Sequence, residues 1–125
     1  MLSNDFLAGY ISAHGSFMNV KVRDKTYPVF QIKSSIANYP LLLKIANSLG
    51  ALNCVHKYTH SKQQYSILLI RDRETILKNL IPMLDDAIEG EKKIMFDLWK
   101  QDFLKNSSTW NYRQIKGTRS IKAEN

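Results

Sequence analysis

The sequence is short of cysteine, of long apolar runs and of acidic side chains, and each shortage excludes a class of protein. With Cys54 as its only cysteine, the chain has neither an internal disulfide framework nor a zinc site built from cysteines. Its longest apolar runs, at 41–43 and 67–70, are far too short to span a bilayer. Asp5 comes early and no basic segment precedes an apolar one, so we expect no signal or transit peptide and an intracellular protein.

The positive charge of the chain indicates a polyanionic partner. Lysine and arginine number 18 against 11 acidic residues, which gives a net charge of +7. The surplus is four in residues 1–60, zero in 61–105 and three in the last twenty residues. A length of 125 residues with 44% hydrophobic content predicts one domain with a sizeable core. The abundance of lysine, isoleucine and asparagine is typical of an AT-rich genome, as in an organelle, a phage or a reduced bacterium.

Hydrophobic periodicity and turn residues predict an α+β fold. Ser3 or Asn4 caps a first helix, and Gly15 and Gly50 end the first two helices. The predicted elements are a helix at 3–13, strands at 17–23 and 27–36, a helix at 38–49, strands at 52–59 and 65–71, and helices at 72–85 and 92–105. The repeat of helix and hairpin predicts a domain over 1–105, in which a four-stranded antiparallel sheet has all helices on one face.

Alternation in the first hairpin predicts one core face and one polar, basic face. The core face is predicted to hold Met18, Val20, Val22, Phe30, Ile32 and Ile36. The polar face is predicted to bind nucleic acid through Asn19, Lys21, Arg23, Gln31 and Lys33, joined by Lys57 with Tyr58 or Thr59 from the second hairpin. The parity of the second hairpin stays open, because His56 and Lys57 cannot share a face.

Residues 106–125 form a basic, aromatic tail. Trp110 and Tyr112 precede four basic residues spaced every three positions, and these are Arg113, Lys116, Arg119 and Lys122. A helical tail would present them as one broad basic stripe, and aromatic residues among basic ones suit phosphate contact and base stacking. The alternative is a flexible charged tail that becomes ordered on binding.

Residues 7–17 read Leu-Ala-Gly-Tyr-Ile-Ser-Ala-His-Gly-Ser-Phe, a segment that resembles the signature of the LAGLIDADG homing endonucleases. The matching positions are Leu7, Ala8, Gly9, Ile11, Ala13 and Gly15, while Ser12 and His14 stand where the motif has its two aspartates. The resemblance extends to 29–32, to 49–50 and to 88–93 with Phe96 and Trp99, and so covers roughly residues 5–105. It implies an αββαββα domain whose sheet forms a saddle over DNA.

The resemblance also implies a homodimer, because the family joins two half-sites through its motif helices and this chain has one motif. Gly9 and Ala13 are small and four positions apart, so they share one helical face and allow a second helix to approach closely. The alternative interpretation places both residues in the core of their own chain.

His14 departs from the family pattern at the position that implies catalysis. In the family, the acidic residue at this position lies at the foot of the helix and holds divalent metal ions shared with the second motif. Mg²⁺ prefers hard oxygen ligands, and an imidazole offers no negative charge to offset it. We therefore expect lost cleavage and no cofactor, with Mg²⁺ needed only if cleavage is retained. Retained cleavage, through nearby acids or with His14 as general base, and a substitution without a settled role are the alternatives.

The other candidate site residues add no second metal site. Lys92 aligns with the lysine that the family places near its active site, where it stabilises phosphate charge, and the alternative is a solvated lysine at a helix end. Asp5 precedes the motif and is not an obvious substitute ligand. His56 and His60 share a strand face but lack a third ligand, which indicates surface or phosphate-contacting residues.

These observations predict a nucleic-acid-binding protein of LAGLIDADG type, dimeric or part of a larger ribonucleoprotein, with duplex DNA or structured RNA as its partner. A working homing endonuclease that makes double-strand DNA breaks is the first alternative. An RNA-binding role, as an intron maturase or a ribosome-associated protein, is the second, and the aromatic, basic tail favours it. A transcription regulator on the same scaffold is the third.

Overall fold

The elements of the computed structural model, which describes residues 2–85 and 87–106, follow the predicted order and confirm the α+β class. They are α1 (Asn4–His14), β1 (Gly15–Val22), β2 (Lys25–Ser35), α2 (Tyr39–Ser48), β3 (Val55–His60), β4 (Gln63–Ile70), α3 (Arg73–Thr75), α4 (Ile81–Leu84) and α5 (Glu91–Asn106). Short 3-10 turns lie at Ile36–Asn38 and Leu52–Cys54. Among the helices described, none is long and apolar enough to cross a membrane.

α1 begins as predicted and runs directly into β1 without a loop. The Ser3 hydroxyl accepts a hydrogen bond from the N–H of Phe6 at 3.1 Å, which satisfies one of the free donors of the first helical turn. Leu7, Ala8 and Ile11 are the buried residues of the helix. At its end, Gly15 has extended backbone angles and donates its N–H to the carbonyl of Ile11. The C-terminal end of α1, which we call its foot, is therefore hydrogen-bonded to the first residue of the sheet.

The predicted helix over 72–85 is divided into three helical pieces. Asp72 caps it, since its Oδ2 accepts from the N–H of Thr75 at 3.2 Å and from the Thr75 hydroxyl at 2.6 Å. A π-helical segment, Ile76–Leu80, joins α3 to α4. Pro82 lies in the first turn of α4 and has no N–H to donate to the preceding turn, so the regular α-helical ladder is interrupted there.

The sheet is antiparallel with strand order β1-β2-β4-β3, and its register determines which side chains share a face. Cross-strand partners include Phe17 with Phe30, and Ile32 with both Gly15 and Leu68. These residues face the helices, where the ring of Phe17 lies 5.3 Å from Phe96 and 5.2 Å from Trp99. One face of the sheet therefore holds the core, and we call the opposite one the outer face.

The prediction of which β1 side chains face the core is wrong, because the true pattern is shifted by one residue. Met18 pairs with Val29 rather than with Phe30, so Met18, Val20 and Val22 belong to the outer face. Asn19 and Lys21 lie on the core side of the strand, at its exposed end. The alternation of Met18, Val20 and Val22 imitates a core pattern, but Phe17 buries more apolar surface than any of them and decides the parity.

Alanine at position 15 is expected to lower the free energy of unfolding by about 1–3 kcal/mol, as overpacking of a core does. A Cβ atom at Gly15 would lie 2.8 Å from the Ile11 carbonyl oxygen and 3.0 Å from the Phe30 ring. Gly9→Ala, measured in protein dilute enough to be monomeric, is the matched control, because a Cβ atom there meets nothing within 4 Å in the described chain. Removing a helical glycine should stabilise the chain by roughly 0.5–1 kcal/mol. Urea unfolding followed by circular dichroism measures both variants, and equal midpoints would contradict the tight junction.

Candidate nucleic-acid interface

The small residues of the α1 motif lie on the surface of the described structure. Gly9 and Ala13 are exposed, and both are on the side of the helix away from the core residues Leu7 and Ile11. The interpretation in which they pack into the core of their own chain is therefore wrong. Phe6, 43% exposed, extends this surface, so α1 presents a small, apolar face that no described residue covers.

His14 lies exposed at the foot of α1 and is the last of three ring-bearing side chains on one side of the helix. Phe6, Tyr10 and His14 follow one another at four-residue spacing, which places them on the same side of the helix. The Tyr10 ring centroid is 5.9 Å from that of Phe6 and 4.6 Å from that of His14. The imidazole is thus supported by Tyr10 and remains accessible to a ligand.

Lys92 is brought to the same place from the start of α5. Its ammonium group donates a hydrogen bond to the carbonyl oxygen of Gly15, the residue that follows His14. The side chain is partly buried, unlike the exposed Lys93 beside it. The structure therefore brings Lys92 to the residue that follows His14, although 77 positions separate Lys92 from Gly15.

The donor chemistry at this helix end does not fit a magnesium site. The side chains placed there are an imidazole and an ammonium group, and neither supplies the anionic oxygen that Mg²⁺ prefers. Asp5 is nine residues away on the same helix, about 14 Å along its axis. In residues 2–85 and 87–106 no three side chains of His, Cys, Asp or Glu are grouped closely enough to hold a metal ion.

The outer face of the sheet is accessible where β2, β4 and β3 pair. Reading across the strands, its rows are Gln31 with Leu69, Lys33 with Ile67 and His56, Ser35 with Tyr65 and Tyr58, and Gln63 with His60. Each of these residues is exposed or partly exposed, whereas Val29, on the same face beside β1, is only 3% exposed. The register thus answers the open question of parity: His56, Tyr58 and His60 lie on the outer face.

Lys33 lies over a pair of tyrosine rings at the centre of this accessible region. Its Nζ atom is 5.7 Å from the ring centroid of Tyr58 and 5.6 Å from that of Tyr65. The two rings are stacked with centroids 5.3 Å apart. Attraction between an ammonium group and ring faces restricts the lysine, so it is preorganised to present its charge above the sheet.

The predicted binding residues are divided between the two sides of the sheet. Gln31 and Lys33 lie on the outer face as predicted, but Asn19, Lys21 and Lys57 do not. The Lys57 Nζ atom lies 4.5 Å from the ring centroid of Tyr39, which belongs to α2 on the helical side. Arg23 is in the turn between β1 and β2, with φ of 59°. The tail candidates Arg113, Lys116, Arg119 and Lys122 lie outside the described residues.

Sequence reasoning missed the contribution of β4 to the outer face. Tyr65, Ile67 and Leu69 alternate with Ser66, Leu68 and Ile70, so apolar side chains occur at both parities. Periodicity alone therefore gives no sign of which set faces outward. Only pairing with β2, where Leu69 lies opposite Gln31, reveals it.

The single thiol does not supply a nucleophile to either candidate site. Partial burial, followed by the nearby Asp72 carboxylate, raises the pKa of Cys54 above its ordinary value. Since the thiolate is the reactive form, a raised pKa keeps Cys54 protonated and unreactive near neutral pH.

Known proteins similar to this chain include members of an endonuclease family and solved structures that contain DNA. The family model for LAGLIDADG endonucleases matches residues 7–103. Among solved structures, the meganuclease I-SmaMI bound to uncleavable DNA with a TTCT central four is similar, with a TM-score of 0.72 and 22% identity over 96% of this chain and 43% of that one. The LAGLIDADG homing endonuclease I-GzeII in complex with its DNA target has a TM-score of 0.73 and 21% identity over 98% of this chain and 43% of that one.

The solved structures similar to this chain are more than twice as long as the part of them that it matches. This chain spans less than half of the I-SmaMI and I-GzeII chains, and at these identities the likeness concerns the fold. I-SmaMI bound to uncleaved DNA in the presence of calcium ions is similar to the same degree, with 22% identity and a TM-score of 0.72 over 96% of this chain and 43% of that one. No match is found among curated proteins.

Replacing Lys92 with methionine should destabilise the fold, because the carbonyl of Gly15 loses its charged donor while the apolar stem is kept. We expect a loss of about 1–2 kcal/mol in the free energy of unfolding. Lys93→Met is the control, since the exposed Lys93–Asp97 pair contributes only about 0.2–1 kcal/mol. Urea midpoints measure both, and a Lys92 variant as stable as the wild type would contradict the contact.

Proposed function

Because the chain belongs to the LAGLIDADG endonuclease family, we propose that it binds duplex DNA through the outer face of its sheet and does not perform the divalent-metal-dependent cleavage of that family. The observation that carries the proposal is the chemistry at the foot of α1. By the resemblance of residues 7–17 to the family motif, His14 takes the position of the metal-binding aspartate, and the Lys92 ammonium group is anchored at the adjoining residue. Binding and cleavage thus depend on different parts of the molecule.

The outer face supports the binding half of the proposal. Lys33 presents a cation, Gln31, Ser35 and Gln63 present hydrogen-bonding groups, and together they lie on alternate positions of adjacent strands. Side chains on alternate strand positions suit a β-sheet that reads the major groove, with cations holding phosphates. The net charge of +7 favours association with a polyanion, and the I-SmaMI and I-GzeII structures contain DNA.

The proposed lack of cleavage follows from the charge of the side chains at the foot of α1. Two-metal hydrolysis needs anionic ligands that hold the ions and leave the attacking water activated. An imidazole and an ammonium group at the helix end supply no negative charge, and a second copy of the chain would bring a second His14. The residues at hand are therefore suited to contact a phosphate group and not to hold Mg²⁺ against it.

A second copy of the chain is part of the proposal. The exposed Gly9 and Ala13 leave space for the backbone of another helix, and Phe6 offers apolar area beside them. The matched part of I-SmaMI and I-GzeII is 43% of each of those chains, so their length accommodates a second domain of this size. An α1-to-α1 contact would place two outer faces side by side along one duplex.

RNA binding is the second candidate function, and the stacked tyrosines favour it. Tyr58 and Tyr65 are partly exposed aromatic side chains on the outer face, and aromatic rings stack on unpaired bases in single-stranded or looped RNA. A maturase or ribosome-associated role would follow from preferential binding of structured RNA. Salt-dependent binding of structured RNA, measured beside that of duplex DNA, tests this second function.

The purified protein should enrich a duplex pool and leave it intact. Duplexes bound in EDTA are selected from a random-sequence library and then incubated with Mg²⁺ or Mn²⁺, and the products are separated on a gel. With 6–10 phosphate contacts, affinity should fall by about 10³–10⁵ between 50 and 200 mM salt. Divalent-dependent cutting of the pool would contradict the proposal, and tighter binding of structured RNA would favour the second candidate.

Two matched variants test whether the outer face makes these contacts. Lys33→Met should weaken DNA binding and reduce the salt slope by about one unit for each copy bound, as loss of one phosphate contact per copy does. Lys44→Met removes the same charge from an exposed position of α2, on the helical side, and should leave the slope unchanged. Equal effects of the two variants would place the DNA elsewhere.

Ala13→Glu should abolish self-association while leaving the fold intact, because it puts bulk and a charge on the exposed face of α1. Sedimentation equilibrium over a range of concentrations measures the dimer. Ala37→Glu, at an exposed alanine outside α1, is the control and should dimerise like the wild type. A wild-type chain that stays monomeric with and without DNA would contradict the α1 interface.

A further inference from the structure

Two aliphatic side chains occupy the centre of the accessible outer face. Ile67 lies between its cross-strand partners Lys33 and His56, and Leu69 lies opposite Gln31. Both are partly exposed, and they share the face with groups that can donate or accept hydrogen bonds. This placement is unusual for a surface proposed to contact base edges, because an aliphatic group offers neither a donor nor an acceptor.

The chemistry of the major groove limits what can face these two residues. Almost every group on a base edge there is a donor or an acceptor, and burying one against an aliphatic side chain leaves it unsatisfied. The apolar groups there are the C5–H of cytosine, the C8–H of purines and the C5-methyl group of thymine, and of these the methyl group is the largest and projects furthest into the groove. An aliphatic residue at the interface therefore penalises other bases and gains from a thymine.

The row formed by Gln31 and Leu69 matches one base pair in particular. Directly opposite residues of an antiparallel pair have Cβ atoms about 4.5–5.5 Å apart, so an amide and an aliphatic group are presented side by side. A glutamine amide can bond both N6 and N7 of adenine, while the methyl group belongs to the paired thymine. The row thus carries complementary chemistry for an A·T pair.

We propose that Ile67 and Leu69 are specificity-determining residues that read thymine through its C5-methyl group. The inference rests on the proposed binding of duplex DNA by the outer face and names what that face selects. In this arrangement Gln31 is the polar partner of Leu69, and Lys33 is the cation beside Ile67. The same methyl group occurs on 5-methylcytosine, so the test separates the two sources.

The test compares identical sequences that differ only in methyl groups. The duplex pool enriched by the wild-type protein is copied with dTTP or with dUTP, and binding of each copy is measured by filter retention. Each contacted methyl group that is lost should weaken binding about fourfold, which gives about fifteenfold for the two residues of one outer face. Equal affinity for the two copies would overturn the inference and leave the proposed function standing. Failure to enrich any duplex pool would instead overturn the proposed function.

Variants assign the effect to the two residues. Leu69→Gln combined with Ile67→Gln, which removes the methyl groups of both side chains, should bring the ratio of thymine to uracil affinity close to one. Leu98→Gln on α5 changes a leucine that is 61% exposed on the helical side and should keep the wild-type ratio. Circular dichroism checks that each variant folds. If the double variant fails to fold, Leu69→Gln alone should halve the logarithm of the ratio, and an unchanged ratio would overturn the assignment.

A third copy of the pool, made with uracil and 5-methylcytosine, separates the two methyl sources. Because Gln31 is placed to bond adenine, the partner of thymine, this copy should bind no better than the copy with uracil alone. Full recovery of affinity would overturn the assignment to thymine.

Discussion

The absence of a side chain at Gly15 is the constraint on which both the sheet and the helix end depend. Ile11 and Phe30 come close enough to fill the space that a Cβ atom would need, so α1 passes into β1 without a loop. That junction pairs Gly15 with Ile32 and thereby sends Phe17 inward, between Phe30 and the aromatic residues of α5. The carbonyl of the same residue accepts the Lys92 ammonium group. Core packing and the chemistry beside His14 are thus consequences of one close contact.

Features that depend on neighbouring residues in the chain could be predicted from the sequence, and features that depend on strand pairing could not. Ser3 caps α1 and Asp72 caps α3 because a capping side chain bonds a backbone N–H within three residues. The parity of β1 needed its partner strand, since Met18, Val20 and Val22 alternate as regularly as a core would. Lys57 presented the same difficulty, and its position over Tyr39 depends on how α2 packs against β3.

The candidate site at the foot of α1 was predictable only through the resemblance. The resemblance pointed to His14 through the motif and to Lys92 through residues 88–93, yet 77 positions lie between Lys92 and its acceptor, and no local pattern connects them. For the outer face, the sequence predicted the charged residue but not the aromatic residues around it. Its lysine was indicated by charge alternation, whereas the tyrosines beneath it became visible only when Tyr58 and Tyr65 were seen to be cross-strand partners. Local sequence patterns therefore located the charges but not the surfaces around them.

The α1-to-α1 contact proposed above has a consequence for the symmetry of a DNA target. Two identical chains that meet through Gly9 and Ala13 are related by a two-fold axis, because the same patch contributes from both sides. Their outer faces then present the same residues in opposite directions along a duplex. A sequence that satisfies both faces equally is an inverted repeat, with its centre of symmetry beneath the paired helix ends. A target without that symmetry would match one face better than the other. Departures from a palindrome therefore show how unequally the two copies contribute to the binding free energy.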